Sequence, residues 1–268
     1  MRSEHLNDVD LCFAIDTTGS MGGFIRSAQQ QLLDTMSLLS ADGNINLQVG
    51  LVEYRDHPPQ ERSFVTRIYP LTADFSQMQT SINRLQAAGG GDAPEAVYQG
   101  VFDACAKMQW REYSCRFVML VGDAPPHGFF SWLRDNTGRS VSSGGDTWPK
   151  GCPSGLDIQS VTAEAEKQRV KIYGLSMGAN SATQEAFSAI AQLTGGQCET
   201  AQNASHIISK MVAVLNVEFR TIQFDRRVLE VIQGCDRIEL DDLAGQLETS
   251  RLTVAGAISR LGKRGFLA

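Results

Sequence analysis

The sequence predicts an α/β fold with a mainly parallel central sheet and helices on both faces. Three observations predict it. Short apolar runs alternate with longer amphipathic ones along the first 220 residues, the order that a parallel sheet with crossover helices requires. The central runs, 9–15 and 116–121, are largely apolar without alternation, as strands covered on both faces are, and 47–54 is a further strand-like run. Carboxylates and hydroxyls follow the ends of the two central runs, where open α/β sheets bind their ligands.

Taken in order, 9–15 is a buried strand. Residues 24–39 place Phe24, Ala28, Leu32, Leu33, Met36 and Leu39 at helical spacing. A second strand spans 47–54, a short edge strand 64–69 and a helix 75–85. After the glycines at 89–91 a helix is expected over 95–108, then the most apolar strand, 116–121. Between 128 and 155 the pattern lapses into glycine and proline (Gly144, Gly145, Pro149, Gly151, Pro153, Gly155). That is too long for an ordinary connection and predicts a functional loop that shapes a binding face. Helices at 158–168 and 183–193 flank a strand at 171–176. A weak strand at 197–200 and a helix over 204–220 close the unit. The expected division is an α/β domain over 1–222 and a small helical module over 223–268.

The bulk properties narrow the function. The chain has 268 residues, 42% hydrophobic and 20% charged, which suits a soluble globular protein with a real core. A net charge of -6 argues against coating nucleic acid with positive charge. No stretch is apolar and long enough to cross a bilayer, and residues 1–8 lack the apolar run of a signal peptide, so a cytoplasmic location is expected. The six cysteines form no Cys-x-x-Cys pair and suit neither a zinc knuckle nor a disulfide scaffold. Cys12 and Cys115 sit in apolar strand runs and read as buried thiols.

The chemistry gathers at the strand ends. The first strand runs into Asp16-Thr17-Thr18-Gly19-Ser20-Met21, one carboxylate and two hydroxyls across a tight turn. These are hard oxygen donors of the kind Mg²⁺ takes. Such residues before a helix also serve as caps. Yet 116–121 ends in Gly122-Asp123, and the loop Gly89-Gly90-Gly91-Asp92-Ala93-Pro94-Glu95 brings further carboxylates before a helix. Capping explains each loop separately but not their convergence.

Asp16-x-Thr18-x-Ser20 and Asp123 resemble the metal-ion-dependent adhesion site of von Willebrand factor A domains. The stretches Val52-Glu53-Tyr54-Arg55-Asp56-His57, Gly90-Gly91-Asp92-Ala93-Pro94-Glu95-Ala96-Val97, Asp123-Ala124-Pro125-Pro126-His127-Gly128 and Gly151-Cys152-Pro153 look like the subgroup that accompanies an alpha-kinase in some eukaryotic proteins and occurs in many bacterial ones. The resemblance covers about residues 7–220. It implies a Rossmann-like three-layer αβα sandwich, with Asp16, Thr18, Ser20 and Asp123 holding Mg²⁺, or Mn²⁺ or Ca²⁺. Where the family has a second-loop Thr, this chain has Asp92 or a flanking glycine. Asp92 is then either a direct ligand, a third negative charge beside Asp16 and Asp123, or the holder of a metal-bound water. Sequence leaves both open.

His57 and His127 fall on loops near this site and are assigned to its partner-binding face. A His pair beside a metal also suits a metallohydrolase using a borderline ion such as Zn²⁺. Glu53 and Asp56 read as loop hydrogen-bond acceptors and Cys152 as a structural loop residue. Glycines 89–91 make no phosphate loop, since Gly-x-x-x-x-Gly-Lys is absent.

Beyond Phe224 a short helix is expected at 227–232, a second around 241–247, and a third over 251–263, capped by Ser250 and ended by Gly265. The order resembles a winged helix-turn-helix with the third helix as reader and little of a wing. Arg251, Arg260 and Lys263 would then meet DNA, although acidic and basic residues balance across the segment and weaken its electrostatic footprint. The function these readings converge on is non-enzymatic, divalent-metal-dependent binding of a protein partner. A DNA-binding transcription regulator and a metallohydrolase are the alternatives.

Overall fold

The computed structural model of the protein describes residues 5–40, 45–129, 145–234 and 239–267. The middle of the expected long loop, 130–144, and the side chains of Leu33, Met36 and Leu39 lie outside the described set. The elements are β1 (Asp8–Asp16), a 3₁₀ turn (Gly19–Met21), α1 (Gly22–Ser40), β2 (Asn46–Tyr54), β3 (Thr66–Thr72), α2 (Phe75–Asn83), α3 (Val97–Lys107), β4 (Cys115–Gly122), α4 (Ile158–Lys167), β5 (Val170–Met177), α5 (Ser181–Leu193), β6 (Cys198–Ala201), α6 (Ala204–Gln233), α7 (Leu240–Gln246) and α8 (Arg251–Lys263).

The sheet order is β3-β2-β1-β4-β5-β6. Every pairing is parallel except the edge pair β2–β3. All residues of β1 are buried, which is why its sequence shows no alternation. Leu11, Phe13 and Ile15 face a core filled by Phe24 and Leu32 of α1, Ile82 of α2 and Met211 and Leu215 of α6. Cys12 and Ala14 face the opposite core, with Val97 and Val101 of α3, Val161 of α4 and Phe187 of α5. Each such buried aliphatic or aromatic side chain contributes roughly 1.5–3 kcal/mol. The expected three-layer α/β sandwich is the fold observed.

Local signals set the helix starts. Asp157 caps α4 through Ser160 in a reciprocal box, and Asn180 caps α5. The expected helix at 95 begins only at Val97, because Glu95 bridges Pro126 as extended backbone. The edge strand lies at Thr66–Thr72 rather than 64–69.

The larger difference is in α6. It runs unbroken for 30 residues, so the helix expected at 227–232 is its last turns, and the 222/223 boundary falls inside it. The reason is legible after the fact. Apolar positions recur at helical spacing from Leu215, Phe219 and Ile222 through Val228, Leu229 and Ile232, and no Gly or Pro interrupts them. The far end of α6 packs with Leu243 and Leu247 of the α7 segment, Val254, Ala257 and Leu261 of α8, and Leu6. Arg264 ties this third core to the sheet by donating to the carbonyls of Leu6 and Tyr113 at 2.9 Å each. Among the described residues no helix is long and apolar enough to cross a membrane.

Candidate metal centre

Because β1 lies between β2 and β4, the loops leaving these three parallel strands meet at one edge. Backbone bonds lock them together with the loop before α3. Thr17 N donates to Tyr54 O, Ala88 N to Thr17 O, Gly19 N to Gly89 O and Glu95 N to Pro125 O. Gly90 has φ +78, and a Cβ there would sit 2.9 Å from Glu95 Oε1 and 3.3 Å from Thr18 Cβ. Only glycine combines that backbone with so close an approach.

Within this frame Asp16 Oδ1 accepts from the backbone N–H (2.7 Å) and hydroxyl (2.6 Å) of Thr18. Ser20 Oγ lies 3.5 Å from Thr18 Oγ1 and donates to Asp123 Oδ1 at 3.0 Å. Thr183 of α5 donates to the Asp123 carbonyl at 3.1 Å. Asp16, Thr18, Ser20 and Asp123 therefore come together.

Burial and then Asp123 push the Asp16 carboxyl up to about 7. Burial and then Asp16 push Glu95 up to about 10. Asp16 Oδ2 and Glu95 Oε2 are buried and accept no hydrogen bond. Arg55, a cation of the β2 loop, is engaged with Glu61, Ser63 and the Gln86 carbonyl. Carboxylates crowded away from water without a counter-charge are costly. A divalent cation would supply the missing charge and the missing partners, and the all-oxygen donor set fits a hard ion.

Asp92 lies elsewhere. The carboxylate of its loop that faces Asp16 is Glu95. Asp92 Oδ2 accepts from Thr147 N at 2.6 Å. Burial opposes its ionisation, but the Thr147 and Gln60 hydrogen bonds prevail and hold it below the usual carboxylate range. It belongs to a neighbouring group in which Asp56, Asp92 and His127 each offer a ligand atom, all within 4.8 Å of one another.

The histidines require a correction. His57 and His127 are 4% and 2% exposed, so neither lies on a face that a partner can touch. His127 Nε2 sits 2.5 Å from Asp56 Oδ1 and Nδ1 sits 2.8 Å from Asp146 Oδ1. Burial alone lowers its pKa, but these two carboxylates more than reverse that and raise it. His57 Nε2 lies 3.3 Å from Cys152 Sγ, and burial followed by the His127 charge drives it down to about 4. The Cys152 thiol is itself pushed up by burial, so the pair rests as neutral imidazole and thiol rather than as an ion pair, consistent with a loop-holding role.

The basic residues expected to meet DNA also sit differently. Arg260 Nη2 and Nε reach both oxygens of buried Asp225 at 2.6 and 2.9 Å, so its guanidinium is occupied inside the protein. Arg251 pairs with Asp241 at 3.0 Å on the exposed surface. Lys263 is exposed, and its carbonyl accepts from Arg169.

Sequence reasoning passed over Glu95 and Asp146 as site residues. Glu95 was legible as the last carboxylate before α3 in a glycine-rich loop. Asp146 carried no signal, since only the folded loop brings it to His127.

Residues 10–129 match the von Willebrand factor A domain family. Over 167 residues, 62% of the chain, the sequence is 26% identical to the alpha-protein kinase vwkA of Dictyostelium discoideum, 24% of which is covered. Over 135 residues, 50% of the chain, it is 29% identical to the ariadne-like RING finger protein R811 of Acanthamoeba polyphaga mimivirus, 13% of which is covered. The chain thus spans about a quarter or less of the curated relatives it matches. The pilus adhesin SpaC of Lactobacillus rhamnosus GG, in its open conformation, shares the fold with a TM-score of 0.52 at 14% identity, over 81% of this chain and 30% of that one. The sequence match over residues 10–129 and the shared fold make this part of the chain similar to von Willebrand factor A domains.

Proposed function

We propose that the protein binds a protein partner through a divalent cation held by Asp16, Thr18, Ser20 and Asp123, with Glu95 adding charge behind them. The role is binding, not turnover. The observation that carries this reading is the pair of buried oxygens without donors, Asp16 Oδ2 and Glu95 Oε2, at the edge where the three strand loops converge. The cation supplies an open coordination position to an oxygen from outside. Three carboxylates exceed the charge of one divalent ion, so the oxygen that completes its sphere is better neutral, a hydroxyl or amide carbonyl, than acidic. Mg²⁺ and Mn²⁺ suit the donor set, and Ca²⁺ fits if more waters join.

Calorimetric titration of the metal-stripped protein with Mg²⁺, Mn²⁺ and Ca²⁺ tests this, with Asp16→Ala as the paired variant. The expected result is one ion bound by the wild type at this site and lost in the variant. Equal binding by the two proteins sinks the reading. Partner capture with and without chelator then follows from a positive result.

A further inference from the structure

We propose that Asp56, Asp92 and His127 hold a second divalent metal ion beside the first. The three residues come from separate segments, the turn after β2, the loop before α3 and the turn after β4, yet their ligand atoms lie within 4.8 Å of one another. The Asp56 side chain is fully buried. Its Oδ1 accepts from His57 N at 2.6 Å and faces His127, but its Oδ2 has no donor, and neither does the buried Oδ1 of Asp92.

A simpler arrangement without metal is an imidazolium clamped between Asp56 and Asp146. It accounts for one oxygen of each aspartate. It leaves Asp56 Oδ2 and Asp92 Oδ1 without a partner, and such buried orphans are rare in native proteins. A metal ion accounts for all of these atoms at once.

The surroundings of the ring fit metal ligation. Asp146 Oδ1 lies 2.8 Å from His127 Nδ1, placed to accept its N–H, and Asp146 is itself fixed by the backbone N–H groups of Gly128 and Trp148, 2.8 Å each. A carboxylate behind an imidazole sets its tautomer and aims the far nitrogen at an ion. Here the far nitrogen, Nε2, points toward Asp56. One imidazole and two carboxylates lie between the all-oxygen sets of Mg²⁺ and Ca²⁺ and the softer sets of Cu²⁺, which suits Mn²⁺ or Zn²⁺.

The two centres share their loops. The 123–127 turn supplies Asp123 to one and His127 to the other. The loop before α3 supplies Glu95 and Asp92 in the same way. The inference does not rest on the proposed function, and its test separates the two.

Mn²⁺ bound per 268-residue chain is measured by equilibrium dialysis and elemental analysis for wild type, Asp16→Ala, Asp92→Asn and His127→Gln. Electron-spin-echo spectra of each Mn²⁺-loaded protein read out directly coordinated ¹⁴N. Asp92 is partly exposed, so Asp92→Asn preserves the fold if His127→Gln does not. The expected result is two ions in wild type and one in Asp16→Ala, with at least tenfold weaker binding of one ion in Asp92→Asn. The ¹⁴N modulation persists in Asp16→Ala and disappears in His127→Gln. A single wild-type ion that survives Asp16→Ala with its ¹⁴N signal also supports the second centre, while removing the first. The inference is overturned if the only ion is lost with Asp16 and unaffected by Asp92→Asn, if no variant shows ¹⁴N coordination, or if no ion binds at all.

Discussion

Strand β1 carries buried aspartates at both ends, and their surroundings are opposite. At the amino end Asp10 accepts from Arg111 N and Nε and from Ser114 Oγ, each at 2.7 Å. Asp8 beside it meets Arg111 Nη1 at 3.2 Å and Asn46 Nδ2 at 2.6 Å. Each carboxylate there has donors and a shared cation, and Arg111 also reaches the carbonyls of Val9 and Asn46, joining β1 to β2. At the carboxyl end Asp16, Asp123 and Glu95 crowd together, with oxygens of Asp16 and Glu95 left over and no basic side chain among the described residues paired with them. Two burials of the same residue type thus have different meanings. A carboxylate with its donors complete holds the fold together, whereas one left incomplete is where the proposed cation would enter.

The largest expected effect is at the complete end. Arg111→Ala strands Asp8 and Asp10 without their cation and should cost about 3 kcal/mol, in the range seen when one partner of a buried pair is removed. Urea unfolding measures it. A loss below about 1 kcal/mol would mean that water replaces the guanidinium and the contrast is overstated.

A middle-sized effect tests whether location or donor supply decides. Glu61 lies in the turn after β2, near the incomplete end. It nevertheless accepts from Arg62 N, Ser63 N and Ser63 Oγ at 2.7, 2.7 and 2.8 Å, and from Arg55 at 3.1 Å. Burial raises its pKa, but these donors outweigh burial and bring it to about 2, below the ordinary 4.5. The folded pKa is the lower one, so ionised Glu61 stabilises the fold above pH 4.5, and that contribution drains away as pH falls toward 2. Glu61→Gln should cost about 1.5–3 kcal/mol at neutral pH, and the difference from wild type should shrink in acid. A gap that stays constant with pH would assign the effect to packing.

The smallest effect carries the opposite sign. Asp16→Asn removes one crowded charge, so in the presence of chelator it should unfold later than wild type, by about 0.5–2 kcal/mol. It should also fail to gain stability when Mg²⁺ is added. A variant less stable than wild type in chelator would make Asp16 a structural aspartate like Asp10.

Much of the fold was legible because each buried strand is a continuous apolar run between breakers, and each main helix keeps its period. The grouping of oxygen donors at the sheet edge was legible in part for a similar reason. Asp16, Thr18 and Ser20 lie within one turn, and Asp123 ends a strand. Whether Asp92 meets Asp16 was not legible, because two carboxylates three residues apart in one loop make different contacts, Asp92 with Thr147 and His127 and Glu95 with Asp16. His127 was assigned to the surface because a His followed by Gly reads as loop, while its burial depends on Asp146, 19 positions on. The continuity of α6 was available in its unbroken period, but the change of style after Phe224 obscured it.

Arg264 near the end of the chain donates to the carbonyl of Leu6 near its start, and Tyr113, on the approach to β4, receives both the His5 ring and the Phe266 ring at 5.8 Å. Residues 5–6 and 264–266 therefore meet at Tyr113, at the end of the sheet opposite Asp16 and Asp123. Segments 5–6 and 264–266 thus share one anchor, and a substitution that loosens Arg264 would free both of them from Tyr113 at once while leaving the opposite end of the sheet untouched.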